Sequence, residues 1–192
     1  MFAIEPSESS VRNGKDYYEG VTILGSTVED LSSYDGTFDF IILSHVLEHF
    51  TNPVASLIRI VDKMAENGLC YIEVPNFYGH CSVEYSHNYC FTETSLRNCL
   101  TIAQLKPVQF DLFFYSRIFP MHITCLACKN TKSTQPAHIC TETVGEIIRQ
   151  RKAGQAAHKR YGVLTRVLNH SLFQSILKLI PNSVKRVFRY FI

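Results

Sequence analysis

His45, Glu48 and His49 sit together in "IILSHVLEHF", residues 41–50, where a run of aliphatics gives way to two imidazoles flanking a carboxylate. An imidazole accepts a proton near neutral pH, and a neighbouring carboxylate can fix the ring and its tautomer. The same side chains also bind divalent ions. Which chemistry is open to them depends on whether the backbone here is helix, strand or loop.

Two metal patterns can be read. His45, Glu48 and His49 have the His-x-x-Glu-His spacing of one class of zinc peptidases, in which both histidines hold the ion and the glutamate activates its water. That chemistry needs the five residues inside a long helix, but here a strand ends near Ser44 and Asn52-Pro53 opens a new helix. Cys125-x-x-Cys128, with His122, His138 and Cys140 nearby, lacks a second pair at zinc-ribbon spacing. On a strand its two thiols point to opposite faces. Spacing therefore assigns no metal ligand.

The surrounding pattern is that of a layered α/β domain. Residues 21–24 and 38–43 are short, continuously apolar runs, as in strands buried on both faces. Asn52 can cap a helix with Pro53 in its first turn; Val54, Leu57, Ile58, Val61, Met64 and Ala65 share one face, and Gly68 is the expected stop. "LCYIEVPN" is the next buried strand, so residues 38–75 form one strand–helix–strand crossover. Thr92 can cap another helix carrying Leu96, Cys99, Leu100 and Ala103 on a face. Two further strands, "VQFDLFFY" and "MHITCLAC", predict an antiparallel hairpin at the sheet edge. Residues 1–130 thus form the α/β body and 131–140 a linker. Residues 141–192 form a helical tail, with helices over 141–159, 163–180 and from about 183.

Composition agrees with a folded, reduced, cytoplasmic chain. Hydrophobic residues make up 46% of the 192, too many for a disordered protein, and the seven cysteines are irregularly spaced rather than a disulfide framework. The net charge of +2 conceals a division: through Glu146 there are nine Lys and Arg against 17 Asp and Glu, and after it ten basic residues with no acid. The tail also carries Leu172, Phe173, Ile176, Leu177, Ile180, Val184, Val187, Phe188 and Phe191 at helical spacing, interleaved with Lys178, Lys185, Arg186 and Arg189. A basic amphipathic stretch over 163–192 suits peripheral contact with an anionic membrane, or packing of its apolar stripe on the body or another subunit. No nucleic-acid reading module is found.

The stretch "FDFIILSHVLEHFTNPVASLIRIVDKMAENGLCYIEVPNF" resembles the second half of a class I S-adenosylmethionine-dependent methyltransferase domain. "SHNYCFTETSLRNCL" is similar to the segment that such enzymes, particularly those acting on sugars and small biosynthetic intermediates, carry before their penultimate strand. The resemblance runs from about residue 2 to 129. It implies an incomplete Rossmann-like sheet, mostly parallel with an antiparallel edge hairpin, followed by the helical extension.

It also implies S-adenosylmethionine as cofactor. Glu5 would hold the ribose hydroxyls, with Pro6 and Ser7 beside the adenine. Thr27, Val28 and Glu29 would border the adenine, and Ser44 and His45 would lie under the methionine end, facing the acceptor. His45, His49 and His87 are the candidate proton acceptors; His49 with Glu48 equally suits bracing the following helix, and His87 equally suits a loop role. The implied acceptor is a small molecule, such as a sugar or a lipid-linked glycan. The family's first strand and glycine-rich loop would stand before Phe2. Three explanations are open: a fragment of a longer gene product, a non-catalytic interaction module, or a sheet completed by another chain.

Overall fold

The computed structural model describes residues 1–17, 20–79, 84–113, 121–130 and 138–168. In chain order the elements are β1 (Phe2–Ile4), α1 (Glu8–Tyr17), β2 (Thr22–Gly25), β3 (Phe38–Ser44), α2 (Pro53–Asp62), β4 (Met64–Pro75), α3 (Glu93–Ile102), β5 (Leu105–Phe113), β6 (His122–Lys129) and α4 (Val144–Leu168). Short 3-10 turns cover Val28–Ser33 and Leu47–His49.

The strands form two sheets. β1 and β2 pair in parallel; β3, β4, β6 and β5 lie side by side in that order, β3 parallel to β4 and the rest antiparallel. The β5–β6 hairpin is therefore present, with β5 on the outside and β6 inserted against β4. Between the sheets the contact is aromatic: Phe2 lies with its ring 5.7 Å from Phe38 and 5.0 Å from Tyr34. The first residues of β1 and β3 are thus neighbours.

Local signals explain the helices. Asn52 Oδ1 accepts from the Ala55 amide at 3.0 Å, and Pro53 occupies the first turn, where its missing N–H costs nothing. At α3, Thr92 Oγ1 accepts from Ser95 N and Ser95 Oγ from Thr92 N, a reciprocal cap. Both helices press on one face of the larger sheet. Leu57, Leu96 and Leu100 are fully buried in one core cluster with Leu43 of β3, Ile72 and Val74 of β4, and Ile123 and Cys125 of β6. Because side chains alternate along a strand, the opposite face carries Phe40, Ile42, Ser44, Tyr71, Glu73 and His122. Phe40 is 54% and Ile42 61% exposed there, so this face is open along β3, whereas His122 on β6 is buried.

Two sequence expectations need correction. The helix opened by Asn52 ends at Asp62, not Gly68; Met64 already pairs with Phe38 as the first residue of β4, so strand pairing overrides the continuing helical period. Gly68 lies inside that strand, where a Cβ would stand 2.9 Å from the Phe38 carbonyl oxygen. The tail helix runs unbroken over Val144–Leu168 instead of stopping near 159. The expected helices beyond it, and the basic stripe from Leu172 onward, lie outside the described residues. No helix among those described is long and apolar enough to cross a membrane.

The loop after β2 is tightly built. Asp30 Oδ2 accepts from the amides of Ser26 (2.8 Å) and Thr27 (2.9 Å), and a Cβ at Gly25 would fall 2.3 Å from that carboxylate. The two amides, Thr27's first, hold the Asp30 carboxyl below its ordinary value of 3.8. A lowered folded-state value contributes stability that is present above the unfolded value and lost as pH falls through the folded one. Asp30→Ala is thus expected to be destabilised relative to the parent at neutral pH. Urea melts should show the difference shrinking as the medium is acidified below the unfolded value; a difference independent of pH would remove the amide–carboxylate account.

Candidate functional site

The site is built where β3 ends. His45 takes a left-handed backbone conformation, φ 53°, uncommon outside glycine though less so for histidine, and such outliers concentrate at functional positions. Its amide still donates to the Glu73 carbonyl at 3.0 Å, so the β3–β4 ladder extends one residue while the side chain turns across the sheet. There Nε2 lies 3.6 Å from Glu73 Oε1 of β4, and the ring packs edge-on against His122 of β6, centroids 4.9 Å apart. On its other side, His45 Nδ1 is 3.4 Å from Glu48 Oε1. One imidazole is thus held between two carboxylates.

Those carboxylates are differently supported. Glu48 is 1% exposed, and neither of its side-chain oxygens makes a hydrogen bond. An ionised carboxylate in such a place is costly unless paired with positive charge, and His45 stands at its edge. Glu73 Oε2 accepts from Tyr71 Oη (3.1 Å) and Ser44 Oγ (3.3 Å), which leaves Oε1 facing His45 and His122. Burial first, then the adjoining Glu73 carboxylate, pushes the Tyr71 phenol up to about 12, so it remains a proton donor to Glu73.

His49 points elsewhere. Its Nδ1 is 2.8 Å from the Ser86 carbonyl and its ring meets His87 edge-on at 4.9 Å. Segment 86–89 is fastened to the turn by Tyr89 N to the Glu48 carbonyl, Asn88 Nδ2 to the His49 carbonyl and Tyr89 Oη to the Thr51 carbonyl. His87 Nε2 also lies 3.5 Å from Glu84. The paired histidines of the sequence therefore serve two adjoining clusters, His45–Glu73–His122 and Glu48–His49–His87. That separation is incompatible with a shared peptidase ion on His45 and His49. The Cys125-x-x-Cys128 pair is no chelate either: Cys125 is buried, and burial pushes its thiol up to about 12, while Cys128 is half-buried.

A second concavity lies at the end of β1. Glu5, Pro6, Glu8, Val11, Arg12, Ile23, Gly25 and Ser26 line an open cleft of about 370 Å³. Glu5 Oε1 accepts from the Ser7 amide at 2.8 Å, a bond that does not use its second oxygen. Ser7 Oγ pairs with Ser9 Oγ. Of the loop residues expected beside the adenine, Thr27 is engaged by Asp30, Val28 turns its side chain into the core, and Glu29 is exposed, 3.9 Å from Arg59. The sequence pattern did not point to Glu73 or Tyr71, and it suggested His122 only as a neighbour of the Cys125-x-x-Cys128 pair. A lone acid inside the otherwise apolar "LCYIEVPN" was the available signal for Glu73, because acids are seldom placed in such strands without a role.

Parallel strands ending in a polar cluster, crossover helix α2 and an antiparallel closing hairpin define a class I methyltransferase-type α/β domain. The profile of the family described as "Methyltransferase domain" matches residues 3–109, and the chain belongs to that family. The fold is similar to solved structures of S-adenosylmethionine-dependent methyltransferases. That from Archaeoglobus fulgidus is 17% identical, with a TM-score of 0.55 over 67% of this chain and 75% of that one. That from Clostridium acetobutylicum is 11% identical, with a TM-score of 0.54 over 67% and 74%. The 1,6-didemethyltoxoflavin-N1-methyltransferase of Burkholderia thailandensis, solved with 1,6-didemethyltoxoflavin and S-adenosylhomocysteine, is 20% identical, with a TM-score of 0.51 over 67% and 60%. No curated protein sequence gives a significant match.

Proposed function

We propose that this chain transfers a methyl group from S-adenosylmethionine to a hydroxyl-bearing small molecule, a sugar or glycan precursor, with His45 accepting the proton. The observation that carries this reading is the His45 imidazole, held between Glu48 and Glu73 on a left-handed residue where β3 ends. The C-terminal ends of parallel strands are where open α/β sheets receive their ligands.

The cofactor supplies a methyl group already activated on a sulfonium, so the protein's task is alignment, exclusion of water and removal of a proton. At the β1 cleft the residues present fit its adenosyl half. The second Glu5 oxygen suits a ribose hydroxyl, and Pro6 and Ile23 offer apolar walls to the adenine. Thr27, Val28 and Glu29 follow directly after the cleft residue Ser26, Ser7 lies between the cleft residues Pro6 and Glu8, and Ser44 with His45 stand at the proposed acceptor end. Glu73 and Glu48 orient the His45 ring and stabilise it once protonated. His49 and His87 form the second polar wall and are the remaining candidates to handle the proton. A hydroxyl-rich acceptor suits a rim lined by imidazoles and carboxylates, and a lipid-linked glycan would bring the basic residues of 163–192 to an anionic membrane surface.

Glu5 provides the test of cofactor binding. Loss of a hydrogen bond to a charged group is worth about 1.5–3 kcal/mol, so Glu5→Ala should raise the Kd for S-adenosylhomocysteine by roughly 10- to 150-fold in calorimetric titration of the full chain. An unchanged Kd in a variant with parental circular dichroism would reject Glu5 as the ribose-binding residue.

A further inference from the structure

We propose that His45, Glu73 and His122 form a binding site for one divalent transition-metal ion of the zinc class. Their ligand atoms lie within 4.8 Å of one another. Two edges of the triangle run from Glu73 Oε1, 3.6 Å to His45 Nε2 and 3.7 Å to His122 Nδ1. Ligand atoms about 2.0–2.2 Å from a tetrahedral ion stand roughly 3.3–3.6 Å apart, so small side-chain movements suffice to close the set on an ion. Two imidazole nitrogens and one carboxylate oxygen are the donors that zinc, cobalt and ferrous ions share, and three protein ligands leave a position open for water or substrate.

The residues behind the triad carry the inference further than the triangle alone. Ligating histidines commonly donate their other ring N–H to a carboxylate, which fixes the tautomer and strengthens the ligand. Here the buried Glu48 carboxylate stands 3.4 Å from His45 Nδ1 with no hydrogen bond to either oxygen, aimed at the ring nitrogen that faces away from the triad. Glu73 is held in the same way: Tyr71 and Ser44 take Oε2 and leave Oε1 towards the two imidazoles. Register positions the donors, since Glu73 pairs with Ser44 on one side and Thr124 on the other, while His122 opposes Pro75. All three strands therefore deliver a ligand to the same face of the sheet, His45 exposed and His122 buried. A bound ion uses the lone pair of His45 that would otherwise take a proton, so at this residue metal binding and proton acceptance exclude each other.

The test is titration of the chelator-treated full chain with Co²⁺, followed by its visible d–d absorption, with Zn²⁺ as competitor and without cofactor or acceptor. One ion per chain is expected, displaced by Zn²⁺ and showing no thiolate-to-cobalt band. His45→Asn, Glu73→Gln and His122→Ala should each weaken binding at least tenfold. Glu48→Gln should weaken it by roughly 10- to 100-fold, as loss of an orienting carboxylate does elsewhere. His49→Asn should leave affinity unchanged, provided each variant keeps the parental circular dichroism. Absence of the cobalt spectrum, a thiolate band in its place, or binding lost with His49 but kept without His122 would overturn the site. None of these readouts involves methyl transfer, so the ion site and the proposed activity fail separately.

Discussion

Replacing His45 with asparagine is expected to lower kcat for methyl transfer by roughly 10²–10⁴-fold, the contribution of a well-placed proton acceptor. Asparagine is the informative substitution because residue 45 sits at φ 53°, where it is tolerated and alanine would add backbone strain. The variant therefore removes the imidazole without asking β3 to end differently. Turnover can be followed with methyl-tritiated S-adenosylmethionine and a panel of nucleotide-linked sugars, in chelator-treated protein so that metal occupancy plays no part. The loss should fall on kcat, with the Kd for S-adenosylhomocysteine kept within roughly twofold, because a group acting only on the proton in flight leaves ground-state binding alone. His49→Asn and His87→Asn should cost less, since their rings face each other and the Ser86 carbonyl rather than the strand end. Parental turnover in His45→Asn would move the proton acceptor to one of them.

The two kinds of information in this chain differ in how far along the sequence they reach. Asn52-Pro53 and Thr92 act on amides within a few residues, and both caps appear with the hydrogen bonds that their types imply. The crossover 38–75 was legible because two apolar runs bounded by turn residues leave room for only one short helix between them; the burial on both faces that such runs imply is not found, since Phe40 and Ile42 are exposed. Helix α1 was not legible. Its residues, ESSVRNGKDY, include Asn13 and Gly14 and offer no sustained apolar stripe. The break expected between 159 and 163 is absent: the stretch holds one glycine, Gly162, which costs a helix only about 1 kcal/mol, and α4 continues through it. At the site, His45 and Glu48 could be found because they are three residues apart. Glu73 and His122 reach the same point only through the pairing of β4 with β3 and β6, a register that no local spacing encodes. Glu5 was singled out only through the family resemblance, and it does line the cleft at the end of β1, whereas Ser26 enters that cleft only because β2 pairs with β1.

Leu57→Ala should be the most destabilising of the single substitutions considered, at about 2–5 kcal/mol in urea denaturation. Leu57 is fully buried on the face of α2 that meets the sheet, and truncating a side chain there forfeits its transfer free energy and leaves a cavity. Ile58, the next residue, is 43% exposed, so Ile58→Ala should stay within roughly 1 kcal/mol. The pair tests the placement of α2, because equal effects would mean that the helix is rotated or loosely docked. The comparison with His45 separates two functions of one strand. Leu43 faces the core that Leu57 completes, while Ser44 lies on the opposite face and His45 crosses to β4 just beyond it. At a temperature where Leu57→Ala is still folded, it should bind S-adenosylhomocysteine as the parent does, with its unfolding midpoint lowered. His45→Asn should show the reverse, a parental midpoint with slow transfer. A loss of binding in Leu57→Ala proportional to its loss of stability would instead mean that core packing sets the geometry of the strand ends, and the two faces of β3 would have to be treated as one energetic unit.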